Sequence, residues 1–180
     1  MNEFVYRLNL PPLSEILLDS AKNSLFNEKP DEVIGHRYLS TSFIKPEWLT
    51  FNNYNWNLIL YFYKNNHSGT IHIDGEKIAQ PHEQCVWGIN WIYGNSGSME
   101  YWLMEDIIPI VNYNYKDRIL CKTDKKPYRT YHMPEGAYLV NASFPHNATS
   151  EAKRYALSLR DDSCKETWDA VVNKFKDYIV

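Results

Sequence analysis

The alternation of apolar and polar positions divides this chain into a β-rich middle and two helical flanks. Asn57-Leu-Ile-Leu-Tyr-Phe-Tyr63 is an apolar, β-prone run, and Lys64-Asn-Asn-His-Ser-Gly69 predicts a turn after it. Thr70-Ile-His-Ile-Asp74 then alternates, with Thr70, His72 and Asp74 on one strand face and Ile71 and Ile73 on the other. Cys85–Tyr93 predicts another strand, Gly94-Asn-Ser-Gly97 a turn, and Ser98–Met104 a strand running back as in a hairpin. Ile107–Val111 reads as a further strand, and the charged, Tyr-rich stretch to Met133 as loop. Pro134-Glu-Gly136 turns the chain into the strand leading to His146, and Arg154–Arg160 is the last strand.

The flanks have a different period. Pro11–Asn23 predicts a short helix with Ser14 near its start and Ile16, Leu17 and Ala21 on one side. The stretch from there to Pro46 is irregular, with Pro30 and Gly35 as breakers. At the other end Trp168, Val171, Val172, Phe175 and Ile179 recur at three- and four-residue spacing, which predicts a closing helix capped by Ser163. Seven or eight short strands between terminal helices predict one mainly-β domain, a sandwich or a barrel. Residues 1–55 are its helical and irregular preamble, 56–160 its core and 163–180 its C-terminal helix.

Composition sharpens this only a little. The chain has 180 residues, 44% hydrophobic and 23% charged, within the range of globular domains. Fourteen Tyr and six Trp against seven Gly favour pleated surfaces. A net charge of −3 without a Lys/Arg cluster argues against a nucleic-acid partner. No stretch is long and apolar enough for a membrane span, and the N-terminus has no signal-peptide pattern. Cys85, Cys121 and Cys164, odd in number and far apart, predict reduced thiols and a cytoplasmic location. Without a secretion signal the Asn-x-Ser/Thr triplets at Asn66, Asn141 and Asn147 carry little weight.

The candidate chemistry lies in the alternating strand. His72 and Asp74 share a face, and a second imidazole from a neighbouring strand would complete a two-histidine, one-carboxylate face that holds a metal and leaves positions open. His146, 72 residues after Asp74, is the candidate, with His132 as its substitute. His-x-Asp arises readily by chance, and a strand-edge histidine before a turn-starting aspartate is the plain alternative. Eight residues after His146 comes Arg154, on one strand face with Ala156, Ser158 and Arg160. An arginine facing into a barrel needs an anion, and a dicarboxylate ligand supplies one in bidentate geometry. A surface cation or a partner for an acidic side chain is the plainer role. Trp87, Trp91, Tyr101 and Trp102 are read as packing between sheets, with a substrate pocket as the alternative, and His67, His82 and His132 as solvent-facing loop residues.

His72-x-Asp74, the distal His146 and Arg154 together resemble the signature of the Fe(II)/2-oxoglutarate-dependent oxygenases. More locally, His72-Ile-Asp-Gly75, Trp87-Gly-Ile-Asn-Trp91, Met99-Glu-Tyr-Trp102, Ala137-Tyr-Leu-Val-Asn141 and Pro145-His146 look like a small subgroup from phages and marine microbes, related to the aspartyl/asparaginyl hydroxylase-like branch. The likeness spans about residues 56–160. It implies a double-stranded β-helix of jelly-roll, cupin-like type with flanking helices. It also implies Fe(II) on His72, Asp74 and His146, with 2-oxoglutarate chelating the metal and its far carboxylate on Arg154. O2 and an unidentified substrate would complete the reaction, a hydroxylation releasing succinate and CO2. Tyr61 and Asn90 lie on strand faces within reach of the cosubstrate, barrel filling being their other role. One position departs from the family: the small hydroxyl residue common two after the arginine is Ala156 here, and Ser158 is the nearest replacement. Arg160 rivals Arg154 for the carboxylate. On the same fold, a cupin-like metal or small-molecule binding protein without oxygenase activity is the alternative, and a structural domain without metal is a third.

Overall fold

The computed structural model describes residues 3–17, 35–39, 57–63, 67–75, 85–94, 97–110, 118–152, 154–161 and 165–180. Thirteen strands among them form two antiparallel sheets. The larger orders β1 (Val5–Leu8), β11 (Gly136–Asn141), β6 (Trp87–Gly94), β13 (Arg154–Asp161), β3 (Asn57–Tyr63) and β2 (Gly35–Leu39). The smaller orders β10 (Arg129–Met133), β7 (Gly97–Tyr101), β12 (His146–Ser150), β5 (His72–Asp74), β9 (Arg118–Lys122) and β8 (Ile108–Pro109), with β4 (His67–Ser68) also paired to β12. The central runs β3-β13-β6-β11 and β5-β12-β7-β10 take strands alternately from along the chain, which is the interleaving of a jelly roll.

This topology overturns several local readings. β6 and β7 were predicted as a hairpin, but they lie in different sheets, and β6 pairs with β11 and β13 instead. The predicted loop before Met133 contains β9 and β10. His146 does not end the strand before it; it begins β12, one sheet away from β11. Within the predicted preamble, Val5–Leu8 and Gly35–Leu39 add edge strands to the larger sheet. These segments pair only with partners distant in sequence, so no local pattern announces them.

The two faces of the larger sheet bury different chemistry. Trp87, Ile89, Trp91, Leu157 and Leu159 face outwards and are covered by α1 (Leu13–Ile16), Leu17 and α2 (Trp168–Phe175). Thus Trp87 and Trp91, expected between the sheets, pack behind one of them, Trp87 edge-on to Phe175 at 5.6 Å. Trp102 likewise lies behind the smaller sheet with Ile73, Ile107 and Cys121. Only Tyr101 of the four is between the sheets, among Phe4, Ile92, Met99, Tyr138 and Ala156.

Helix α2 is shorter than predicted, and its cap is Thr167, whose hydroxyl accepts from the Ala170 N–H at 3.4 Å. Such a cap contributes about 1 kcal/mol. Ser163, the predicted cap, and Ala21 lie outside the described residues. Burial of Trp168, Val171 and Phe175, at about 1.5–3 kcal/mol per side chain, outweighs the cap several-fold. Indole donors tie the flanks to the sheet: Trp168 Nε1 to the Glu3 carbonyl at 2.7 Å and Trp91 Nε1 to the Pro11 carbonyl at 3.0 Å. No described helix is long and apolar enough to cross a membrane.

Candidate metal centre

Three side chains predicted far apart in sequence meet between the sheets. His72 and His146 are directly opposite in the β5–β12 ladder, and Asp74 follows two residues along the same face. Gly75, at φ +108°, takes the chain off the strand immediately after Asp74 in a backbone region that favours glycine. The corner before His146 is pinned as well. Val86 N–H donates to Ser143 Oγ at 2.6 Å, Ala142 N–H to the Val86 carbonyl at 2.9 Å, and Trp102 N–H to the Pro145 carbonyl at 3.0 Å. Asp74 N–H reaches the same corner at the Ala142 carbonyl, 2.9 Å away.

One donor atom from each of the three residues falls within 4.8 Å of the others. His72 Nε2 is 3.6 Å from Asp74 Oδ1, and His146 Nε2 is 3.9 Å from Asp74 Oδ2. Each ring has its Nδ1 on the backbone carbonyl two residues earlier: His72 on Thr70 at 2.7 Å, His146 on Phe144 at 2.8 Å. With Nδ1–H donating there, the neutral ring turns its Nε2 lone pair towards Asp74. Burial favours that neutral form. It pushes His146 down to about 3, helped by the neighbouring His72, and lowers His72 against the pull of Asp74. Burial alone would raise Asp74, but Arg160, then His72, His146 and Arg118, hold it well below the usual carboxylate range. Two imidazole lone pairs and a carboxylate therefore converge with no proton shared among them, an arrangement that a divalent cation satisfies. Donors side by side around an ion with bonds of ~2.1 Å sit about 3 Å apart. Binding would draw these donors closer by up to about 2 Å.

The surroundings orient the site. Arg160 Nη2 is 2.9 Å from Asp74 Oδ2, a buried ion pair. Tyr101 packs against His146 with ring centroids 5.8 Å apart, and its hydroxyl donates to the Asn141 carbonyl at 2.8 Å. Burial keeps that phenol protonated, far above its usual range.

The remaining predicted residues are dispersed along the interior. Arg154 is buried at the other end of the inward face of β13, six residues from Arg160. Its guanidinium rests against Gly97, where a Cβ would come within 2.7 Å of Arg154 Cζ and 2.2 Å of the Thr149 carbonyl. Asn90 and Ser158 are opposite each other between the two arginines, and Asn90 Oδ1 is buried without a hydrogen bond among the described residues. Tyr61 takes the register position opposite Ala156; its side chain lies outside the described residues. His132, read as a loop residue, is exposed on β10 opposite Ser98, and it is not one of the three clustered donors. Asn141 and Asn147 are buried, so neither triplet is open to modification in the folded chain. The sequence reading missed Arg118, directly opposite Asp74 on β9. The charged, Tyr-rich surroundings of that strand read as loop and hide the period-two pattern that places Arg118, Leu120 and Lys122 on one face.

No protein-family model and no curated protein matches this chain. Similar solved structures include an RmlC-like cupin protein from Desulfovibrio desulfuricans, 9% identical over 73% of this chain and 84% of that one, at a TM-score of 0.39. Another is salicylate 1,2-dioxygenase from Pseudaminobacter salicylatoxidans, 7% identical, with 82% of this chain covering 32% of that one, at 0.41. A third is Peruvianin-I, a cysteine peptidase from Thevetia peruviana latex, 6% identical over 84% and 75%, at 0.42. Likeness this distant decides nothing about activity, and a dioxygenase and a peptidase stand side by side within it. The jelly roll rests on the strand order itself, and the chemistry rests on the site.

Proposed function

We propose that this protein is a non-haem Fe(II)- and 2-oxoglutarate-dependent oxygenase, a hydroxylase, whose metal is held by His72, Asp74 and His146. The observation that carries the reading is the convergence of two Nε2 lone pairs and one ionised carboxylate on a single face, each ring fixed by its own backbone carbonyl. Two histidines and a carboxylate on one side of an ion are the donor set of such iron centres, with the opposite side open.

Bound there, Fe(II) would supply the redox chemistry that couples decarboxylation of 2-oxoglutarate to succinate with oxidation of a substrate by O2. The protein's own residues would do the rest. Arg160 holds the Asp74 carboxylate in place, as outer partners of metal ligands generally do. Arg154 would pair with the far carboxylate of the cosubstrate. It is favoured over Arg160 because Arg160 is engaged at the metal end while Arg154 lies deeper along the same face. Asn90 and Ser158 offer polar atoms on the path between them, Ser158 standing in for the hydroxyl lost at Ala156. The buried side chains of Ile92, Met99 and Tyr138 would help to keep water out of this interior.

The test is an anaerobic titration with Fe(II) and then 2-oxoglutarate, followed in the visible spectrum. A charge-transfer band requiring both additions, lost in His72→Ala and weakened in Arg154→Ala, is the expected result. Iron binding without the band would sink the cosubstrate assignment and leave a cupin-like metal-binding protein. No iron binding would remove the enzyme reading altogether.

A further inference from the structure

Strand β9 does not belong to the eight interleaved strands; it extends the smaller sheet past the metal-bearing β5. Its register places Arg118 opposite Asp74 and Leu120 opposite His72. Directly opposed residues of an antiparallel pair share a face, with Cβ atoms about 4.5–5.5 Å apart. Arg118 and Leu120 therefore continue the metal-bearing face outwards. The three donors are not equally covered: the side chain of His72 is 19% exposed, against 5% for His146 and 6% for Asp74. The open approach is thus on the His72 side, across Leu120 and Arg118.

Arg118 is half-buried and makes no hydrogen bond or ion pair among the described residues. The nearby carboxylate is taken: Asp74 gives its close contact to Arg160 at 2.9 Å. Arg118 feels the Asp74 charge across the ladder, but its five N–H donors, in a fork suited to a planar anion, make no direct contact with that carboxylate. Lys122, on the same face two positions beyond Leu120, adds a second positive charge at the exposed end. Leu120, also half-buried, is apolar and flanks the most accessible ligand.

We propose that Arg118 is the substrate-recognition residue of this centre, and that the substrate is a carboxylate on an aliphatic chain, its anion on Arg118 and its chain over Leu120 beside His72. This deepens the oxygenase reading and rests on it for the identity of the metal and cosubstrate. The guanidinium fork selects the carboxylate, and Leu120, opposite the more exposed ligand His72, offers the aliphatic chain an apolar surface beside the metal donors. Discrimination against the corresponding amide should be about tenfold or more, as for other charge-assisted hydrogen bonds.

The experiment uses the full chain loaded with Fe(II) and 2-oxoglutarate without oxygen. It compares C4 to C8 aliphatic carboxylates, straight and branched, with their amides. Binding is read twice, from the shift of the visible band and from ligand-observed NMR saturation transfer. At least one carboxylate should bind tenfold or more tightly than its amide. Arg118→Gln should abolish that preference, Arg118→Lys should restore part of it, and 2-oxoglutarate affinity should stay within twofold. Equal binding of acids and amides across the panel, or a preference that survives in Arg118→Gln, overturns the proposal. A parallel loss of 2-oxoglutarate affinity also overturns it, by assigning Arg118 to the cosubstrate. If the wild-type protein shows no band, the oxygenase reading fails by itself. The NMR comparison on metal-loaded protein still decides the role of Arg118.

Discussion

Arg154 and Arg160 occupy the same face of the same strand, yet the fold gives them different company. Arg160 stands at the metal end, 2.9 Å from Asp74, beside two histidines. Arg154 stands at the far end, against the bare backbone of Gly97 and near Tyr138. Both are buried, and both are equally conspicuous in the sequence. What differs is the opposing sheet: β5 and the start of β12 bring donors to one end, and the start of β7 brings a glycine to the other. An identical residue thus orients a metal ligand at one end, and at the other lies against a glycine, where the opposite sheet brings no side chain to that position.

Four tests probe this contrast, the largest first. Asp74→Ala removes a metal donor and the close partner of a buried guanidinium. We expect loss of metal binding in a titration, and destabilisation of about 3–5 kcal/mol in urea unfolding. Metal affinity within tenfold of wild type would end the metal-centre reading. Next, Arg160→Leu and Arg154→Leu should separate the two ends. The first should weaken metal binding about 10–100-fold, as loss of an outer partner does. The second should leave metal binding intact and weaken 2-oxoglutarate about tenfold or more. The same phenotype for both would erase the distinction.

Gly97→Ala strikes the Arg154 end alone. A methyl group 2.2 Å from a carbonyl oxygen forces backbone movement, with a cost of about 1–3 kcal/mol in unfolding free energy. Cosubstrate affinity should fall while metal affinity holds. Finally, only the metal end should respond to mild acid. His146 is pushed down to about 3 in the folded chain, against about 6.5 unfolded. Between those values the unfolded chain binds the additional proton. Stability of the metal-free protein should therefore fall as pH drops from about 6.5, by at most ~1.4 kcal/mol per pH unit for this group. His72 shifts in the same direction. His146→Phe should flatten the slope, and Arg154→Leu should not.

Much of the site could be read from the chain because its logic is local. His72 and Asp74 share a face by the period of an extended strand, and so do Arg154, Ala156, Ser158 and Arg160, whatever the fold. The C-terminal helix announced itself through Trp168, Val171 and Phe175, which bury as their spacing requires. Its cap did not, since Ser163 and Thr167 are equally good capping residues and only the packed helix selects between them. Arg118 was missed for a related reason: β9 is half-buried and short, and its identity as a strand comes from β5 and β8 on either side.

The sequence by itself determined which residues can face together along each strand, and hence which chemistry was available: two imidazoles, one carboxylate and two inward arginines. Tertiary structure alone decided that β6 and β7 part into separate sheets, that Trp87 and Trp91 lie behind the sheet rather than inside it, and that Asp74 belongs to Arg160. Alternation along a strand is set by the bonding of neighbouring residues, whereas these outcomes depend on pairings across dozens of residues. Such pairings are settled by closing two sheets over one interior, where burial and charge are satisfied together or not at all.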